Sequence, residues 1–189
     1  QRVLPQLCPD RRVLGVIRPT VERIGGMTRT RHIGVLATEG TIRSLSYELE
    51  VGKLFPDSKV SGQACPLWAA IVEANEAGTP GADYFVKKRI DQLLLKDPDI
   101  DTIVLGCTHY PLLMDSIEAN CPRGVRVVPQ GEYVADSLRD YLERHPEMEA
   151  RCTKGATCRY LTTESEERFG ECARIFLHEK VEAEHVTLD

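Results

Sequence analysis

Cys107, Thr108 and His109 put a thiol, a hydroxyl and an imidazole on three consecutive residues. A thiol close to the free N–H groups of a helix start has its thiolate stabilised, and an imidazole two residues away can add to the effect. That pair admits more than one chemistry: a hydrolase nucleophile activated by histidine, or a thiol acting as acid and base. The surrounding residues say where the trio sits. Asp101 to Leu105 reads as a buried strand, and Gly106 follows it. Pro111 stands where proline best opens a helix, and Leu112, Leu113, Met114 and Ile117 give that helix an apolar face. The trio is therefore expected on a tight turn between a strand's C-terminal end and a helix start. In open α/β sheets ligands bind in that crevice.

Two other strand-to-helix turns share the pattern. Thr38 and Thr41 flank Gly40 at the end of the run Arg31 to Thr38, and they are ordinary capping residues for a helix beginning near Ile42. In a parallel sheet the same turn lies on the edge that carries Cys107, so capping and binding a carboxylate are compatible roles. Cys65-Pro66-Leu67 forms the third turn, with Glu73 further along its helix. By type, Cys65 is a core residue, Glu73 a solvated helix charge and Lys87-Lys88-Arg89 a solvated basic face. His32, His145, His178 and His185 show no partner in the sequence.

The remaining elements alternate. Residues 3–7 read as a helix tail and residues 12–17 as a buried strand. Arg18-Pro19-Thr20 is a break, followed by a short helix over 21–24. Residues 31–38 are a second buried strand, residues 42–50 a helix, 59–64 a weaker strand and 67–75 a helix. The strongest helical period covers 84–96, with Phe85, Ile90, Leu93 and Leu94 on its apolar side. Residues 125–128 read as a strand, 133–144 as a helix, 157–163 as a strand, 164–178 as a helix and 184–188 as a short strand. Such alternation predicts an α/β fold with a mostly parallel sheet. Joints at Arg18-Pro19 and after Val128 set off a central domain over 18–129, with flanks 1–17 and 130–189 that belong to another unit.

A length of 189 residues with 42% hydrophobic content suffices for a core, and no apolar run is long enough to span a membrane. A net charge of -5 disfavours nucleic acid as a partner. The seven cysteines include no Cys-x-x-Cys pair, which indicates neither a zinc site nor a disulfide framework, and they read as reduced residues of a cytoplasmic protein.

With these motifs in order, the chain resembles the glutamate racemases of the aspartate/glutamate racemase superfamily. The residues that carry the match are Leu105 to Leu113, Ile33 to Thr41 with Ser44 and Tyr47, and Cys65-Pro66-Leu67 through Val72-Glu73. His109 favours the glutamate branch, because aspartate racemases typically have Glu at that place. The family's first catalytic cysteine, in an Asn-Thr-Ala-like segment, has no counterpart in these 189 residues, and neither does its Asp-Ser-Gly turn. Cys8, in a helix tail, is not accepted as a substitute. Pro129-Gln130 stands where the family often has Asp-Ser.

The resemblance implies a parallel-sheet sandwich of two α/β domains facing each other across the site. The second domain interrupts the first, which is expected to lack its opening part here. It implies interconversion of L- and D-glutamate without cofactor or metal, supplying D-glutamate for peptidoglycan, with two thiols on opposite faces of the α-carbon. Cys107 would be one of these bases and His109 its proton-assisting neighbour. Thr38, Thr41 and Thr108 would hold the substrate's charged groups, and Glu73 matches a family carboxylate near the site. A homodimer is an assembly the resemblance allows. With one base missing, the chain by itself is expected to be inactive. The alternative class is a non-catalytic carboxylate-binding module. A cysteine hydrolase is disfavoured, since two residues on one turn rarely give in-line geometry and no third orienting group is visible.

Overall fold

In a computed structural model of the chain, residues 4–9 and 13–188 are described. Four strands, β1 (His32–Ala37), β2 (Lys59–Ala64), β3 (Thr102–Leu105) and β4 (Arg126–Pro129), form one sheet in the order β2-β1-β3-β4, and every neighbouring pair is parallel. All four strands thus end on one edge. The chain leaves β1 toward β2 on one side and returns to place β3 on the other, so the topological switch lies between the ends of β1 and β3.

Period-two alternation sends β1 and β3 side chains to both faces. Leu36, Ile103 and Leu105 pack with buried residues of α5 (Trp68–Glu73), α6 (Pro80–Lys96) and α7 (Met114–Asn120). Ile33, Val35, Ala37 and Val104 meet Val21 and Ile24 of α2 (Ile17–Ile24), and Tyr47 and Val51 of α4 (Ser46–Leu54). Helix α6 starts where Thr79 accepts the Ala82 N–H, with Pro80 as its first residue, and it buries Ala82, Val86, Ile90 and Leu93. Gly34 lets α6 and β3 close on the sheet: a Cβ there would lie 2.8 Å from Leu93 and 3.2 Å from Ile103.

The rest of the chain comprises α1 (Leu4–Leu7), α3 (Glu39–Arg43), α8 (Gly131–Arg144), α9 (Pro146–Glu149) and α10 (Glu166–Leu177). It also includes a small parallel pair, β5 (Tyr160–Thr162) with β6 (Ala183–His185).

Three expectations change. Residues 13–16 form no strand: Val13, Leu14 and Val16 are exposed, and the chain enters α2 at Ile17. No neighbouring strand is available to them among the described residues, and a lone strand has no stability of its own. Arg12 lies outside the described residues. Pro19 does not break the chain because it falls in the first turn of α2, where a missing N–H is tolerated. The helix expected over 42–50 is in fact two, α3 and α4, parted at Leu45, whose φ of 52° is left-handed.

Candidate active site at the strand ends

Extending the register of the sheet puts Thr38, Cys65, Gly106 and Gln130 just beyond the last paired residues of β1, β2, β3 and β4. The Gly106 N–H donates to the Leu36 carbonyl at 2.8 Å, and the Cys65 N–H to the Ala37 carbonyl at 2.9 Å, so the ladder continues into the turns. Gly106 is required by packing. A Cβ there would stand 2.9 Å from the Ala37 Cβ and 3.3 Å from the Tyr47 ring and hydroxyl. Cys107 follows in a half-buried position, Thr108 is exposed and His109 is half-buried.

Behind this turn the packing is close. Tyr110 is fully buried, crosses Trp68 edge-on at 4.9 Å and donates its hydroxyl to the Cys65 carbonyl at 2.9 Å. One aromatic side chain therefore ties the turn after β3 to the turn after β2. Pro111 opens a 3₁₀ turn, Tyr110–Leu113, which runs on into α7.

The sequence-predicted residues fall into two groups on this edge. In the first, the Cys107 Sγ lies 3.8 Å from His109 Nδ1, while His109 Nε2 lies 2.9 Å from the Glu73 carboxylate. A carboxylate only accepts, so Nε2 carries the proton and Nδ1 is left facing the thiol. Glu73 is thus paired with His109 and not merely a solvated helix charge, a contact the sequence does not reveal. The Phe176 ring of α10 stands perpendicular to the imidazole at 5.2 Å.

In the second group, Thr38 caps α3: its hydroxyl accepts the Thr41 N–H at 3.4 Å and lies 3.0 Å from the Thr41 hydroxyl. Two hydroxyls are thereby held together after β1, beside the thiol turn after β3. Thr108 shows no tie to either group.

Cys65 is a core residue, as its type suggests. It is 1% exposed, and burial pushes its thiol up to about 12, against an opposing pull from Arg89. Sequence reasoning missed Gln130. Its side-chain oxygen accepts from the Tyr47 hydroxyl at 2.8 Å and lies 3.2 Å from the Thr20 hydroxyl, while its amide N–H donates to the Leu105 carbonyl at 2.8 Å. Its place at the end of a strand was the available signal.

At the opposite edge, His32 does have a partner. Its Nδ1 lies 2.8 Å from Asp97, which also accepts from Ser61 at 3.0 Å and pairs with Lys59 at 3.1 Å. His32, Asp97 and Asp99 offer ligand atoms within 4.8 Å of one another, but the Lys59 ammonium already balances the Asp97 charge. No described helix is long and apolar enough to cross a membrane.

Comparison with known proteins agrees with this architecture. The chain is 36% identical over 177 residues to a glutamate racemase of Lactiplantibacillus plantarum, covering 93% of this chain and 64% of that protein. It is 36% identical over 184 residues to one from Roseobacter denitrificans, covering 92% of this chain and 66% of the relative. The chain thus spans a little under two thirds of these relatives' length. The crystal structure of the glutamate racemase isoform RacE1 from Bacillus anthracis superposes with a TM-score of 0.79 at 30% identity, covering 98% of this chain and 69% of that one. The Thermus thermophilus glutamate racemase, in complex with beta-chloro-D-alanine, gives 0.75 at 30% identity, covering 98% of this chain and 67% of that one. The sequence profile of the Asp/Glu/Hydantoin racemase family matches residues 10–138, and the chain belongs to that family.

Proposed function

We propose that this chain carries the Cys107 side of a glutamate racemase site, which interconverts L- and D-glutamate without a cofactor for cytoplasmic peptidoglycan precursor synthesis. The observation that carries this reading is the Cys107–His109–Glu73 chain of contacts at the switch point of the sheet, next to the paired Thr38 and Thr41 hydroxyls. The identity to glutamate racemases supports the choice of substrate.

On this reading Cys107, as thiolate, takes the Cα proton on one face of glutamate. The Cα–H bond breaks, an S–H bond forms, and the electron pair stays on the α-carbon. Inversion then needs a thiol on the opposite face to return a proton. The Cα–H of an amino acid is far less acidic than a thiol, so fixed dipoles must stabilise the carbanion. Helix-start N–H groups and the Thr38, Thr41 and Thr108 hydroxyls are suited to holding the substrate's charged groups. Glu73 fixes the His109 tautomer, and His109 assists proton movement at Cys107.

The opposing thiol is not Cys65, which is buried and held protonated by that burial. The chain by itself is therefore expected not to invert glutamate. The same reading divides it into a first-domain remnant (1–17), a complete second domain (18–129) and a return to the first domain (130–189). Chiral analysis after incubation with each enantiomer tests this. Neither L- nor D-glutamate should be converted, while calorimetry should show saturable binding of both. Conversion at an ordinary enzymatic rate would overturn the missing-base account, and absence of binding would overturn the substrate assignment.

A further inference from the structure

Gln130 lies in the middle of the polar contacts beneath the thiol turn, although it does not itself touch Cys107. Its three hydrogen-bond partners come from three separate elements: Tyr47 on α4, Thr20 on α2 and Leu105 at the end of β3. The Leu105 carbonyl is the last of its strand, immediately before Gly106 and Cys107. A buried carbonyl without a donor is unfavourable, and here a side-chain amide supplies the donor.

The clamp is itself held in place. Tyr47 is 2% exposed, and burial pushes its hydroxyl well above the usual tyrosine range, so it stays a donor at any working pH. Thr20 is fully buried, and its proton is shared between Gln130 and the Val16 carbonyl, 2.9 Å away. With two hydroxyls on its oxygen and a carbonyl on its nitrogen, the amide has a defined orientation. Gly106 has no slack to absorb a shift, because Ala37 and Tyr47 crowd its Cα.

We infer that Gln130 is a positioning residue for the reactive turn: by gripping the Leu105 carbonyl between α2, α4 and β3 it sets where the Cys107 thiol stands. This rests on the reading of Cys107 as the base. Neither close analogue can replace it. Glutamate at 130 keeps the acceptor but sets a carboxylate against the Leu105 carbonyl, and methionine keeps the volume but neither accepts as well nor donates.

The test follows alkylation of individual cysteines by mass spectrometry across a pH series, with exposed Cys152 as internal standard. In the parent chain Cys107 should be labelled ahead of Cys152. If it is not, the base reading fails independently of Gln130. Given that preference, Gln130→Met and Gln130→Glu should each change the Cys107-to-Cys152 ratio by roughly tenfold and displace the Cys107 pH–rate profile. Tyr47→Phe keeps the ring against Gly106 but frees one lone pair of the clamp, so it should give a smaller change. In the Gln130→Met background it should add nothing further. Should Gln130→Met not fold, Gln130→Glu and Tyr47→Phe decide the matter. Folded variants whose Cys107 profile superposes on the parent's would overturn the inference, whatever they do to thermal stability.

Discussion

Glu73 holds His109 at 2.9 Å from the far side of the imidazole, across 36 residues of sequence, and so decides which ring nitrogen is presented to Cys107. The contact is half exposed, and its stabilisation of the fold should be small, on the order of 1 kcal/mol or less. Its consequence is for orientation. Glu73→Ala should slow Cys107 alkylation several-fold with little change in the thermal midpoint. Glu73→Gln, which can still accept from Nε2, should recover most of the rate. Equal labelling in Glu73→Ala and parent would show that the carboxylate does not govern the histidine.

Thr38 and Thr41 separate capping from binding. Thr38→Val removes the acceptor for the Thr41 N–H and should lower stability by about 1 kcal/mol, as loss of an N-cap does. Thr41→Val leaves that cap intact and should be nearly neutral in a denaturant melt. Both should weaken glutamate binding in calorimetry, and Thr38→Ser should retain it. Binding unaffected by either valine would confine the pair to a capping role.

Gly106→Ala tests how tightly the thiol turn is wedged. The new methyl would meet the Ala37 Cβ at 2.9 Å and the Tyr47 ring, so overpacking should cost about 1–3 kcal/mol. Chemical denaturation reads this directly. A neutral substitution would mean that the turn can slide and that the thiol is not fixed by this contact.

Two carboxylates at the opposite edge should set the acid limit of stability. Burial works against the charge on Asp97, but hydrogen bonds from His32, Lys59 and Ser61 outweigh it and hold the carboxyl below its usual value of 3.8. Asp101 is likewise disfavoured by burial and more than compensated by Thr28, the Thr30 and Arg29 N–H groups, and Thr102. A lowered folded-state pKa gives stability that is present above the unfolded value and lost as pH falls through the folded one. Thermal midpoints should therefore start to fall once the pH drops below about 4, and Asp101→Asn should flatten that limb. An unchanged slope in Asp101→Asn would remove Asp101 from the explanation.

Strands β1, β3 and β4 and the turn at Cys107 were legible because each is written in consecutive residues, as an apolar run closed by a turn signal, whereas the polar β2 was legible only weakly. Thr38 could be named from its place after β1, whereas Glu73 reads as a solvated helix charge and is singled out only through the resemblance. The Glu73–His109 contact could not be named, because it depends on how α5 lies against the turn after β3. Gln130 was hidden for the same reason: positions 20, 47, 105 and 130 meet only once α2, α4, β3 and β4 have packed. Residues 13–16 misled in the other direction. Their apolar character reads as a buried strand, but a strand requires a partner strand, and none pairs with them among the described residues.

On the proposed reading the Cys107 thiolate lifts the Cα proton of glutamate. One base suffices to remove and return a proton on one face, even where inversion is blocked. In deuterated water, NMR of each glutamate enantiomer with this chain should show slow loss of the Cα proton signal in one enantiomer only. Configuration should be retained, and the exchange should vanish in Cys107→Ala. Exchange that survives Cys107→Ala, or none with either enantiomer, would contradict the account.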